Sequence, residues 1–163
     1  MQLTSTLLIA AVIGVASLTA QGQVLTERNI SLQLALTIAN AAMAQCKADG
    51  FDVTAAVVDR AGDLKVLLRA DTANPHNADL ARRKAYTSRT FKVPSMDVAK
   101  RTNGPTDLSG QRYIADIIPL GGGLPINVGN DTIGAVGVSG SPTQDGDEKC
   151  ATAGIAAAAN SLK

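Results

Sequence analysis

The chain has 163 residues, 45% of them hydrophobic, which suffices for one buried core and is short for two ordinary domains. With 15 basic and 14 acidic residues, a formal charge of +1 and no long single-sign run, it lacks the electrostatic footprint of a nucleic-acid or anionic-membrane binder. An aromatic content of 2% without tryptophan leaves the core to Ala, Val, Leu and Ile and offers no stacking platform for unpaired bases.

From Leu7 to Leu18 the sequence is almost continuously apolar, followed by the small and polar residues Thr19, Ala20, Gln21 and Gly22. The run is shorter than the roughly 20 apolar residues of a spanning helix, and Ala20 or Gly22 offers a cleavage point. No Lys or Arg precedes it. Residues 1–22 are read as a signal peptide and 23–163 as a single domain, periplasmic or secreted, with no membrane span in the mature form. Export would allow Cys46 and Cys150 to form one disulfide; two buried thiols are the alternative, and two cysteines alone cannot make a structural zinc site.

Ser31 is placed to cap a helix running to about Lys47, with Leu32, Leu36, Ala39, Met43 and Cys46 forming an apolar stripe. Phe51 to Asp59 and Leu64 to Leu68 read as strands joined by the turn Arg60-Ala61-Gly62-Asp63, a β-hairpin. After a loop over 70–77, residues 79–91 are helix formers without a breaker, and Ser95 can cap a short helix after Pro94. The stretch 103–110 is a polar loop. Tyr113 to Leu120 and Leu124 to Val128 read as strand segments around three glycines, and a turn at Gly129-Asn130-Asp131 leads into a strand over 132–138. Residues 145–162 close the chain as an Ala-rich helix, with Asp145, Asp147 and Glu148 where the helix dipole favours acids. The class is α+β: an antiparallel sheet packed with N- and C-terminal helices, and further helices inserted between two hairpins.

The single histidine, His76, sits in the loop before the second helix, where its imidazole could meet a metal or a haem iron or remain solvated. Arg82, Arg83 and Lys84 follow as a basic cluster able to pair with carboxylates, or to form a solvated helix face with Asp79 bridging to Arg83. Gly121 to Gly123 lack the spacing and the Lys-Ser/Thr of a nucleotide loop, and the acids at 145–148 fail the calcium-loop pattern.

Five separated blocks, AVVDRAGDLKVLLRAD, ARRKAYTSRTF, PLGGGLPI, IGAVGVSGS and DEKCATAGI, resemble in sequence and order the haem-binding HbpS/GlcG-like family, over Leu32 to about Ala158. Pro75-His76 ahead of the ARRKAYT helix is similar to one branch of that family, which also carries cysteines at the positions of Cys46 and Cys150. The resemblance implies a profilin-like α+β fold, assembly as a homo-oligomer, and haem as cofactor. It makes His76, Arg82, Arg83, Lys84 and Tyr86 the candidate haem-binding residues, with His76 as ligand to the iron. The expected function is an exported small-molecule-binding protein, binding haem in iron or redox handling. Its alternatives are an enzyme that degrades haem or acts on a small carboxylic acid, and a structural or accessory oligomer without a ligand.

Overall fold

The computed structural model describes residues 24–163, and the segment read as a signal peptide, 1–22, lies outside them. Helix α1 spans Leu32–Ala48 and is capped by Ser31, whose hydroxyl accepts from the Leu34 amide at 3.2 Å. The first hairpin is β1 (Thr54–Asp59) with β2 (Leu64–Arg69); α2 (Asn77–Phe91) and the short α3 (Ser95–Arg101) follow. The second hairpin is β3 (Gly123–Val128) with β4 (Asp131–Ser139), after which α4 (Gln144–Ala157) packs back, ending short of the expected Leu162. The fold is α+β. Its sheet is antiparallel throughout, in the order β2-β1-β4-β3, so the two hairpins meet at β1 and β4, with Thr54 opposite Ser139 and Asp59 opposite Gly134.

Alternation along the central strands sorts the two faces of the sheet. Ala55, Val57, Val136 and Val138 join α1 and α4 in the main core, together with Ile38, Ala42 and Ile126. Val58 and Ala135 point the other way, against Ala85 of α2. Gly137 lets α2 lie close on this second face, because a Cβ there would overlap the Ala81 carbonyl.

The buried face of α1 is rotated from the expected stripe. Ala35, Ile38, Ala39, Ala42 and Cys46 are buried, whereas Leu32 is exposed and Leu36 and Met43 pack at the margin of the core. The cause is the closeness of α4: a Cβ on Gly154 would stand 2.6 Å from the Ile38 carbonyl oxygen. At that separation small side chains must fill the seam, and larger ones move to its flanks. The same packing brings Cys46 and Cys150 together as a disulfide, with their Cα atoms 5.5 Å apart.

The second departure is the segment 113–120, expected as a strand. Ser109–Tyr113 forms a 3-10 turn, and the residues from there to β3 are irregular. Pro119 has no amide to give to a ladder, and side chains take up the backbone groups instead. The Ile118 amide donates to Thr87 Oγ1 at 2.8 Å, Ser95 Oγ donates to the Leu120 carbonyl at 2.6 Å, and the Gly121 amide donates to Gln144 Oε1 at 2.6 Å. These bonds explain why the polar residues Thr87 and Ser95 are fully buried. Among the described residues no helix is long and apolar enough to cross a membrane.

Candidate functional site

The start of α2 is held from below and open above. Asn77 is buried and its Oδ1 accepts from Ser139 Oγ at 3.3 Å, which ties this helix end to the end of β4. His76, immediately before it, is exposed and its imidazole makes no hydrogen bond among the described residues. Arg83 shares its face two turns along, about 10 Å down the axis.

Both neighbouring arginines are positioned by defined partners. Arg82 pairs with Asp79 at 3.0 Å and with Asp116 at 2.6 Å. Arg83 donates to the Ile117 carbonyl at 2.9 Å and lies 3.7 Å from Asp79. The hydrogen bond from Arg82 holds the Asp116 carboxyl below the usual carboxylate range, and in return raises the guanidinium's own pKa. Asp116 has φ +64°, a left-handed conformation that Asp tolerates better than most residues. Just before this bend Tyr113 is 84% exposed and Ile114 50% exposed. The first turns of α2 therefore offer an imidazole and two guanidiniums, Arg83 on the face of His76 and Arg82 about 100° around the helix from Arg83, with exposed apolar surface on the segment those arginines grip. Sequence reasoning did not find Tyr113, Ile114 or Asp116, because the segment read as a strand; the available signal was Pro119 and the glycine run after it.

Lys84 and Tyr86 are placed elsewhere. Lys84 is 3% exposed, and its ammonium is consumed inside the protein by Asp147 at 2.7 Å and the Val138 carbonyl at 3.0 Å. The ring of Tyr86 covers Gly62 in the β1–β2 turn, where an added Cβ would be 2.9 Å from it. Asp147, read from the sequence as a dipole-compensating acid, is buried as the partner of Lys84, and its second oxygen accepts from the Ser141 amide at 2.9 Å.

Two further features lie apart from this flank. A cleft of about 640 Å³ is lined by Met43, Phe51 and Val53, with Lys47 and Arg69 at its polar side, and takes in none of the candidate residues. Near the glycines, Glu148 has its Oε2 sealed from solvent without a hydrogen-bond partner among the described residues. Burial, and then repulsion from Asp97 and Asp145, push this carboxyl's pKa up from 4.5. The folded state thus holds this proton more tightly than the unfolded chain does, so the contribution of Glu148 to stability is full below about pH 4.5 and is lost as pH rises through the raised value. Glu148→Gln is expected to flatten that fall in a series of urea titrations across pH 4 to 8, roughly the span of carboxylate shifts; an unchanged pH profile would contradict it. Among the described residues no group of three His, Cys, Asp or Glu is placed to hold a metal ion.

Comparison with known proteins places this geometry in a family. The model of the family described as haem degrading protein HbpS-like matches residues 30–156. The crystal structure of HbpS superposes with a TM-score of 0.79 at 34% identity, covering 83% of this chain and 94% of that one. An uncharacterized 15.0 kDa protein from the dhaT-dhaS intergenic region of Citrobacter freundii is 31% identical over 113 residues, 68% of this chain and 80% of its own length. A solved complex of PduOC with heme shares the fold, with a TM-score of 0.74 at 24% identity over 79% of this chain and 94% of that one. The chain belongs to the HbpS-like family.

Proposed function

We propose that this protein binds haem on the exposed flank of α2, with His76 as the ligand to iron and Arg82 and Arg83 meeting the propionates. The observation that carries the proposal is His76 itself: an exposed imidazole that makes no hydrogen bond among the described residues, at the start of the helix that carries two oriented guanidiniums. The donor set fits the group in kind. A neutral imidazole is an axial ligand, guanidiniums form charge-assisted bonds with carboxylates, and Tyr113 and Ile114 supply apolar surface for a macrocycle. Family membership and the heme complex of PduOC support the same reading.

Binding is the activity we infer, from the exposed imidazole and the oriented guanidiniums of α2. Action as an exported homo-oligomer in iron or redox handling completes the proposal. Support for export comes from the Cys46–Cys150 bridge, a bond that a reducing cytosol would not preserve.

Titration of the purified protein with haem is expected to produce a shifted Soret band, and His76→Ala to weaken binding about tenfold or more and alter the band. Unchanged spectra for the wild-type protein, or identical spectra after His76→Ala, would sink the assignment. Light scattering on the same samples reads the assembly state.

A further inference from the structure

Arg89 stands in the last turn of α2, more than three turns from His76 and outside the flank described above. Its Nε is sealed from solvent and has no hydrogen-bond partner among the described residues. Asp131, Asp59 and Glu27 act on it through space, none of them as a bonded partner. A basic residue in a final helical turn is ordinarily explained by the helix dipole. That explanation does not account for a sealed Nε that shares a cleft with a second guanidinium.

The second guanidinium is Arg60, in the β1–β2 turn. It is fixed by Asp131 at 2.7 Å and by the Arg28 carbonyl at 3.2 Å, while its backbone amide donates to Asn29 Oδ1 at 3.0 Å. Arg60 and Arg89 line one cleft of about 390 Å³, together with Glu27, Asn29 and Ala61. Burial, followed by the charge of Arg60, pulls the pKa of Arg89 down, so the two cations are near enough to oppose each other. Asp131 and Glu27 hold Arg60 charged, so the guanidinium that an entering oxyanion would relieve is that of Arg89, which no carboxylate among the described residues bonds.

We propose that the Arg60–Arg89 cleft is an oxyanion-binding site for a small carboxylate or phosphate, with Arg89 as the principal donor. Glu27 is the tethered group in its way. It is 58% exposed on the N-terminal strap and touches Arg60 Nε at 3.4 Å, longer than the 2.7 Å of the Asp131 contact. An entering anion displaces this loose carboxylate and leaves the tighter Asp131 pair in place. The strap remains attached through Asn29 and through the Ile30 amide, which donates to the Ile133 carbonyl at 3.3 Å.

The experiment follows the arginine Nε–H signals of the ¹⁵N-labelled protein at low salt during separate titrations with succinate and inorganic phosphate. The Arg89 signal is expected to move saturably in the millimolar range, and the probe that saturates first identifies a carboxylate or a phosphate site. Arg89→Gln should weaken binding about tenfold or more, and Arg89→Lys, which keeps the charge without the planar fork, by a smaller factor. Glu27→Gln should tighten it severalfold, and His76→Ala should leave it unchanged. No saturable shift with either probe up to about 10 mM, or binding that survives both Arg89 variants, overturns the site. Unchanged affinity in Glu27→Gln overturns the displacement of the strap carboxylate. Where Arg89→Gln proves poorly folded in a thermal melt, Arg89→Lys carries the test.

Discussion

Asp147→Ala is expected to lower the unfolding free energy by about 3–5 kcal/mol, read from urea denaturation at neutral pH. Lys84 and Asp147 are both nearly inaccessible, their charged atoms are 2.7 Å apart, and each also serves the backbone, Lys84 at the Val138 carbonyl and Asp147 at the Ser141 amide. Removing the carboxylate strands an ammonium in the interior and also leaves the Ser141 amide without its acceptor. The large cost is that of an uncompensated charge, and it does not measure what the intact pair contributes. Lys84→Met combined with Asp147→Leu should therefore cost clearly less than the sum of the two single changes. Asp147→Asn keeps an acceptor for Ser141 and should fall between the wild type and Asp147→Ala. A loss below about 1 kcal/mol for Asp147→Ala would show that water reaches the pair and that it is not the interior tie described here.

The second large effect concerns the disulfide. Cys46 and Cys150 are 104 residues apart in sequence, and closing a loop of that length removes enough chain entropy from the unfolded state to contribute about 4–5 kcal/mol. Both cysteines are buried in the seam between α1 and α4, so Cys46→Ala with Cys150→Ala preserves packing better than serine, which would add unpartnered hydroxyls. The double alanine variant is expected to unfold at markedly lower urea and with a steeper dependence on it, because the uncrosslinked chain exposes more surface, and reductant should shift the wild-type curve toward it. Two reactive thiols in oxidised, denatured wild-type protein would refute the bridge itself. Since α1 and α4 carry no candidate haem-binding residue, the variant should bind haem as the wild type does wherever it remains folded.

Much of the fold is legible in local sequence, for local reasons. The alternation and turn chemistry around 60–63 and 129–131 specify two hairpins, and the absence of breakers over 79–91 specifies α2, because hydrogen bonds and backbone preferences within a few residues decide each case. His76 was found as the residue before α2 for the same reason. The segment 113–120 was misread because its apolar, β-branched composition suits a strand. Whether it pairs depends on partners distant in sequence, and Thr87, Arg83 and Ser95 bind its backbone instead of a neighbouring strand.

The opening basic cluster shows the division most clearly. Arg82, Arg83 and Lys84 are adjacent in sequence, but successive helical residues point about 100° apart. Lys84 shares the stripe of Ala81, Ala85 and Ser88, the buried face of α2, and that spacing was a usable signal that it differs from its neighbours. Its partner was not readable, since Asp147 lies 63 residues away and on another helix. Length, charge and five sequence blocks by themselves determined an α+β fold of a recognisable family. Only the tertiary structure decided which face of α1 meets α4, which of the basic residues face solvent, and that Arg60 and Arg89 share a cleft, because each of these depends on distances between elements that no local pattern encodes.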